Sequence, residues 1–200
     1  MHRPNAKAST AADAFPAAAS AYGGGMPDPV DRLRSLIADV PDFPEPGITF
    51  RDITPMLEDP AGLALSVELM ANPFRGEKID LVLGAESRGF IFGTAVACCL
   101  SAGFGLIRKP GKLPRATVET NYDLEYGSNT MQLHRDAVKP GQRVLIVDDV
   151  LATGGTAAAC VKLVKELGAE VAAVAVLIEL EALDGRKLLG GERVHSVVTY

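Results

Sequence analysis

The sequence predicts an α/β protein with a doubly wound, mostly parallel sheet and flanking helices, and three observations carry that prediction. From Ile79 onward, short Val-, Ile- and Leu-rich runs alternate with helical stretches, the order that builds parallel sheets. Those runs are continuously apolar rather than strictly alternating, as in strands covered on both faces. A small-residue turn, Ala152–Thr156, joins one of them directly to a helix.

Each element follows from local pattern. Residues 1–27 are rich in Ala, Gly, Ser and Pro and nearly lack large aliphatic side chains. Such a segment buries too little surface to offset its ordering entropy, so it is expected to be a disordered tail. A single domain then spans 28–200. Asp28 suits a helix cap and Pro29 the first helical position, with Val30, Leu33 and Ile37 on one face. Pro41, Pro44 and Pro46 force an extended loop, and a second helix follows Asp59-Pro60 with Leu63, Val67 and Met70 as its buried stripe. Strands are expected at Ile79–Leu83, Phe104–Ile107, Val144–Val147 and Val171–Ile178, with helices at Gly89–Ser101 and Gly155–Leu167. The polar segment from Lys109 to about residue 130, broken by Pro110, Gly111, Pro114 and Gly127, does not fit the alternation; its length suits a mobile flap.

Composition narrows the function. A net charge of −5 over 200 residues argues against nucleic-acid or membrane-surface binding, which calls for a basic excess. No apolar run approaches membrane-spanning length. Cys98, Cys99 and Cys160 make an odd set without CxxC spacing, and only three His are present. That excludes a disulfide framework, gives no protein-built metal site, and suits a reducing cytoplasm.

The most informative stretch is Val144-Leu-Ile-Val-Asp-Asp-Val-Leu-Ala-Thr-Gly-Gly-Thr156. A buried strand leads into two consecutive acids, Asp148 and Asp149, and then into a loop that opens a helix. At the carboxyl end of a parallel strand this is where α/β proteins bind ligands. Gly154 and Gly155 let backbone N–H groups approach an anion, Thr153 and Thr156 add hydroxyls, and the helix start is positive. Two carboxylates beside a phosphate cradle suggest a phosphorylated sugar whose hydroxyls donate to the acids. No GxxxxGK[ST] or GxGxxG motif occurs. The bland alternative is a plain strand–turn–helix with solvated acids.

This stretch resembles the phosphoribosyl diphosphate signature of the type I phosphoribosyltransferases. The likeness implies that Asp148 and Asp149 hold the ribose hydroxyls and that Ala152, Thr153, Gly154, Gly155 and Thr156 hold the 5′-phosphate. Three further stretches are similar to the adenine phosphoribosyltransferases, in that family's order and spacing. Asp42–Pro55 matches its base pocket, with Ile48, Phe50 and the backbone of Arg51 around adenine. From its residues alone, the segment is equally a Pro-rich surface loop with Phe43 and Phe50 packed on the core. Gly84–Phe90 matches its pyrophosphate loop, with Glu86, Ser87 and Arg88 as contacts and a cis peptide between Glu86 and Ser87. Ile107–Pro114 supplies Arg108, Lys109 and Lys112, where a solvated charge run is the plain alternative. Glu125 and Tyr126 match flap residues over the reaction centre, with Glu125 handling the purine proton. Leu180 matches a Leu that closes the base pocket.

The resemblance thus implies an enzyme of purine salvage that converts adenine and 5-phosphoribosyl 1-diphosphate to AMP and pyrophosphate. Mg²⁺ would be held mainly by pyrophosphate and ribose oxygens, and the chain would form a homodimer. The rivals are a transferase for hypoxanthine, guanine or xanthine, and a non-catalytic sensor of the same ligand. A sensor of that kind usually carries a DNA-binding domain, for which residues 1–27 are too short.

Overall fold

Five strands lie side by side in the order β4-β3-β7-β8-β9, and every neighbouring pair is parallel. They are β3 (Leu81–Ala85), β4 (Gly103–Ile107), β7 (Arg143–Leu151), β8 (Glu170–Glu179) and β9 (Val194–Thr199). The computed structural model describes residues 28–123 and 128–200. Residues 1–27, expected to be a tail, and Glu125 and Tyr126 lie outside the described residues. The doubly wound, mostly parallel α/β fold predicted from sequence is the fold observed.

Helices cover both faces. α4 (Gly89–Cys99) sends Phe92 and Val96 into one apolar cluster, which also takes Leu33 of α1 (Pro29–Ser35) and Val67 and Met70 of α3 (Pro60–Ala71). α5 (Gly155–Glu166) sends Ala157, Cys160, Leu163 and Val164 into a second cluster on the opposite face. β8 is buried along all but its first residue, as a strand between two helical layers must be. The Asp28 side chain accepts from the Val30 amide at 2.8 Å, with Pro29 at the first helical position.

In sheet order the chain runs outward from a reversal between β3 and β7: β3 connects to β4 on one side, while β7, β8 and β9 extend to the other. That reversal is a topological switch point, where loops at neighbouring strand ends diverge and leave a crevice. Both motif loops leave the sheet there.

Two additions lie outside this sheet. The expected extended loop after α1 contains an antiparallel pair, β1 (Ala38–Pro41) and β2 (Thr49–Asp52), followed by the short α2 (Thr54–Glu58). The expected flap is also more regular than predicted. Its body is an antiparallel hairpin, β5 (Thr117–Asp123) with β6 (Ser128–His134). Val118, Met131 and Leu133 of this hairpin share a core with α5, and a two-bond bridge joins Arg108 to Gln132. Burial of one hairpin face explains why this polar segment forms strands.

Candidate active site

β7 runs past the expected end at Val147, so Asp148 and Asp149 belong to the strand. Both nevertheless line a cavity of about 320 Å³ together with Glu86–Arg88, Lys109 and residues 150–157. The cavity lies at the switch point. α5 begins at its rim behind Gly154, whose φ of +88° is left-handed, with no side chain capping the helix start. Uncapped N–H groups and the helix dipole make that rim receptive to an anion. α4 likewise begins beside the cavity without a side-chain cap. Its first residue has to be glycine: a Cβ on Gly89 would stand 2.8 Å from the Val147 carbonyl oxygen and 2.9 Å from Asp148 Oδ1.

The two acids differ in environment. Asp149 is buried and accepts from Arg88 Nε. Asp148 is partly buried, and its Oδ1 accepts from the Asp149 amide at 2.9 Å. Burial, and then the neighbouring Asp149 charge, push the Asp148 carboxyl well above the usual carboxylate range. Burial likewise raises the Cys160 thiol, so this cysteine is an inert core residue.

Glu86 organises the basic segment. Its carboxylate accepts from Lys112 Nζ, from the Lys109 amide at 2.9 Å and from Arg108 Nε at 3.3 Å. Burial opposes the charge, but these donors outweigh it and hold the Glu86 carboxyl below its ordinary range. The family resemblance implies that Arg108, Lys109 and Lys112 all face the ligand. The structure brings only Lys109 to the cavity lining, because the nearly buried Glu86 carboxylate requires partners and takes the other two. The Glu86–Ser87 peptide is cis.

A second, largely apolar cavity of about 550 Å³ adjoins the first. Val40, Phe43, Phe50, Ile53 and Leu57 line it, with Arg51, Asp52, Thr54 and Arg88. Phe43 meets Phe50 edge-on with ring centroids 5.3 Å apart. The Arg51 guanidinium pairs with Asp39 and stacks over the Tyr200 ring at 4.0 Å, so its charge already has partners. Ile48 and Leu180 do not line this cavity. Ile48 is 47 % exposed, and Leu180 packs against the first apolar cluster just beyond β8, its amide donating to the Leu151 carbonyl at 2.9 Å.

Arg88 borders both cavities, and its guanidinium carbon lies 5.8 Å from the Phe50 ring centre. Sequence reasoning missed the partners that hold these groups, namely Asp39 and Tyr200 on Arg51, Tyr122 on Thr156, and Arg186 on Glu179. Each contact joins segments whose meeting only the fold determines, so sequence carried no signal for them.

Comparison with known proteins follows the same lines. The family model for the phosphoribosyl transferase domain matches residues 54–193. The chain is 57 % identical over 171 residues to an adenine phosphoribosyltransferase of Methylococcus capsulatus, covering 86 % of this chain and 100 % of that protein. The crystal structure of adenine phosphoribosyltransferase from Thermoanaerobacter pseudethanolicus superposes with a TM-score of 0.83 at 47 % identity, over 86 % of this chain and 99 % of that one. The Saccharomyces cerevisiae enzyme, solved with an imino-altritol bisphosphate and adenine, gives a TM-score of 0.81 at 36 % identity, over 85 % and 98 %. With one family model across most of its length and close relatives matched nearly end to end, the chain belongs to the phosphoribosyltransferase family, among the adenine phosphoribosyltransferases.

Proposed function

We propose that the protein transfers the phosphoribosyl group of 5-phosphoribosyl 1-diphosphate to a ring nitrogen of adenine, forming AMP and releasing pyrophosphate, a step of purine salvage. The observation that carries this reading is Arg88, which borders an anion-receptive cavity and an apolar one at once. A sugar phosphate in the first cavity presents its anomeric carbon toward a planar base in the second.

The roles follow from position. The 5′-phosphate sits at the start of α5, on the backbone of Ala152–Gly155 and the hydroxyls of Thr153 and Thr156. Asp148 and Asp149 accept from the ribose hydroxyls. Ser87, Arg88 and Lys109 meet the pyrophosphate, and Glu86 fixes the approach of Lys109 while engaging Arg108 and Lys112. Phe50 supplies an apolar face for adenine. With its guanidinium already partnered, Arg51 offers backbone groups that read the edge of the base. Ile48 and Leu180 complete the pocket after movement, since neither lines it here. By the family likeness, Glu125 and Tyr126 belong over the reaction centre, Glu125 taking the proton that the purine loses.

The bond from the anomeric carbon to pyrophosphate breaks before the bond to the purine nitrogen forms, so positive charge grows on the sugar while negative charge grows on the leaving group. Arg88 and Lys109, fixed beforehand, stabilise the departing anion, and Asp148 and Asp149 lie on the cationic side. Fixed charges cost no reorganisation at the moment of reaction.

Magnesium belongs to the same reading. Among the described residues, no group of three or more His, Cys, Asp or Glu could hold a metal ion. The hard carboxylate oxygens of Asp148 and Asp149 face the cavity, a donor set that fits an ion held mainly by substrate oxygens. Bound there, the ion would offset charge on the pyrophosphate. A homodimer in the cytoplasm completes the proposal, supported by the family likeness; among the described residues no helix is long and apolar enough to cross a membrane.

A purine panel tests the function. With 5-phosphoribosyl 1-diphosphate and Mg²⁺, pyrophosphate release should be faster with adenine than with hypoxanthine, guanine or xanthine by at least about a hundredfold in kcat/KM. Equal or greater efficiency with one of the others overturns the assignment to adenine.

A further inference from the structure

An ion pair outside both cavities stands directly behind the loop that follows β7. Glu179, the last residue of β8, is 5 % exposed and lies beside Leu151 in the sheet. Arg186 grips it with a two-pronged fork, Nε donating to Oε1 at 2.6 Å and Nη2 to Oε2 at 2.6 Å. The Ser196 hydroxyl on β9 also donates to Oε2. Arg186 further reaches Ser196 Oγ at 3.2 Å and the Val194 carbonyl at 3.4 Å. These donors outweigh the cost of burial and hold the Glu179 carboxyl below its ordinary range.

Arg186 belongs to a 3-10 turn, Gly185–Leu189, whose first residue presses on the loop before α5. A Cβ on Gly154 would collide with the Gly185 carbonyl, and a Cβ on Gly185 would collide with the carbonyl of Ala152. Main chain meets main chain on both sides, so no side chain can yield to absorb a shift. The turn is therefore a rigid back wall for residues 152–154, and the fork on Glu179 fixes where the wall stands.

We propose that Glu179 and Arg186 are positioning residues: by clamping the 185–189 turn, they hold the loop 152–154 and the start of α5 in the conformation that receives the sugar 5′-phosphate. The proposal rests on the assignment of that loop to the 5′-phosphate. The same pair also ties β8 to β9, so a purely structural role is the competing account. That account predicts equal effects on every ligand.

The test uses the full-length protein, with ribose 5-phosphate as calorimetric probe and steady-state kinetics alongside. Arg186→Met should bind ribose 5-phosphate about tenfold more weakly and raise KM for 5-phosphoribosyl 1-diphosphate to match, with KM for adenine within about twofold. Arg186→Lys keeps the charge but loses the fork, and should lose about threefold; it decides the matter if the Met variant does not fold. Ribose 5-phosphate affinity within about twofold of wild type in a folded variant, or equal losses for both substrates, overturns the pair's role. If the wild-type protein does not bind ribose 5-phosphate, the loop assignment fails first and the proposal with it.

Discussion

Thr156, the second residue of α5, donates its hydroxyl to the phenol oxygen of Tyr122 on β5 across 3.2 Å. The bond ties the hairpin to the helix start where the 5′-phosphate is proposed to sit. A phosphate arriving there competes for the Thr156 hydroxyl, so occupancy of the cradle and attachment of the hairpin are linked. Tyr122→Phe should lower hydrogen-exchange protection of β5 amides in the free protein and leave ribose 5-phosphate affinity within about threefold. Thr156→Val should lose both protection and about tenfold in affinity, the worth of one hydrogen bond to a charged group. Unchanged exchange in Tyr122→Phe would show that the bond does not restrain the hairpin.

Asp148 should be a residue that the fold tolerates at a cost. Its carboxyl titrates above the ordinary range, chiefly through burial, so ionising it at neutral pH disfavours the folded state. Asp148→Asn should therefore raise Tm in thermal unfolding at neutral pH. The gain should shrink as pH falls through the raised pKa and vanish below about 3.9, where the wild-type carboxyl is neutral in both states. Asp148→Asn combined with Asp149→Asn should largely abolish binding of 5-phosphoribosyl 1-diphosphate in calorimetry. A single Asn variant with a lower Tm at neutral pH contradicts the electrostatic argument.

Arg88→Met tests the bridge between the cavities. It strands the buried Asp149 carboxylate without its partner, which should cost about 1–3 kcal/mol in urea unfolding. It should also raise KM for 5-phosphoribosyl 1-diphosphate. Arg88→Lys keeps the charge but not the planar fork and should recover only part of each loss. Full recovery by Lys would mean that charge alone matters at this position.

Glu125→Gln should lower kcat by about a hundredfold while KM for either substrate moves within about threefold. Wild-type turnover in this variant would remove Glu125 as the proton acceptor.

Some of this was legible before any coordinates. The sheet strands from β3 to β8 are continuous apolar runs that no other element explains, and Asp28-Pro29 marks a helix start by chemistry alone. The loop proposed to hold the phosphate was legible as a turn because Thr153–Thr156 follows a strand and opens a helix. β1 and β2 were not: each is only four residues long, β1 is mostly exposed and β2 half-buried, and neither carries a fully buried residue to mark it. The hairpin did carry a period-two signal in Val118, Thr120 and Tyr122 and in Met131 and Leu133, but the prolines and glycines between Pro110 and Gly127 masked it. β9 is short and mixes His195, Ser196 and Thr199 among its valines, which hides an edge strand. The pairings of Glu86 with Arg108 and Lys112 had no local signal, because β3 and β4 bring them together across an intervening helix.

Ser87 and Arg88 follow β3, Lys109 follows β4, and Asp148–Thr156 spans the end of β7, yet all border one crevice. A molecule seated there fastens three adjacent strands from outside, as a clip would. At a hundred times its dissociation constant, such a clip adds about 2.7 kcal/mol to the unfolding free energy. Heat resistance should accordingly follow metabolite supply, and a cell short of the sugar diphosphate would hold this protein in its most fragile form.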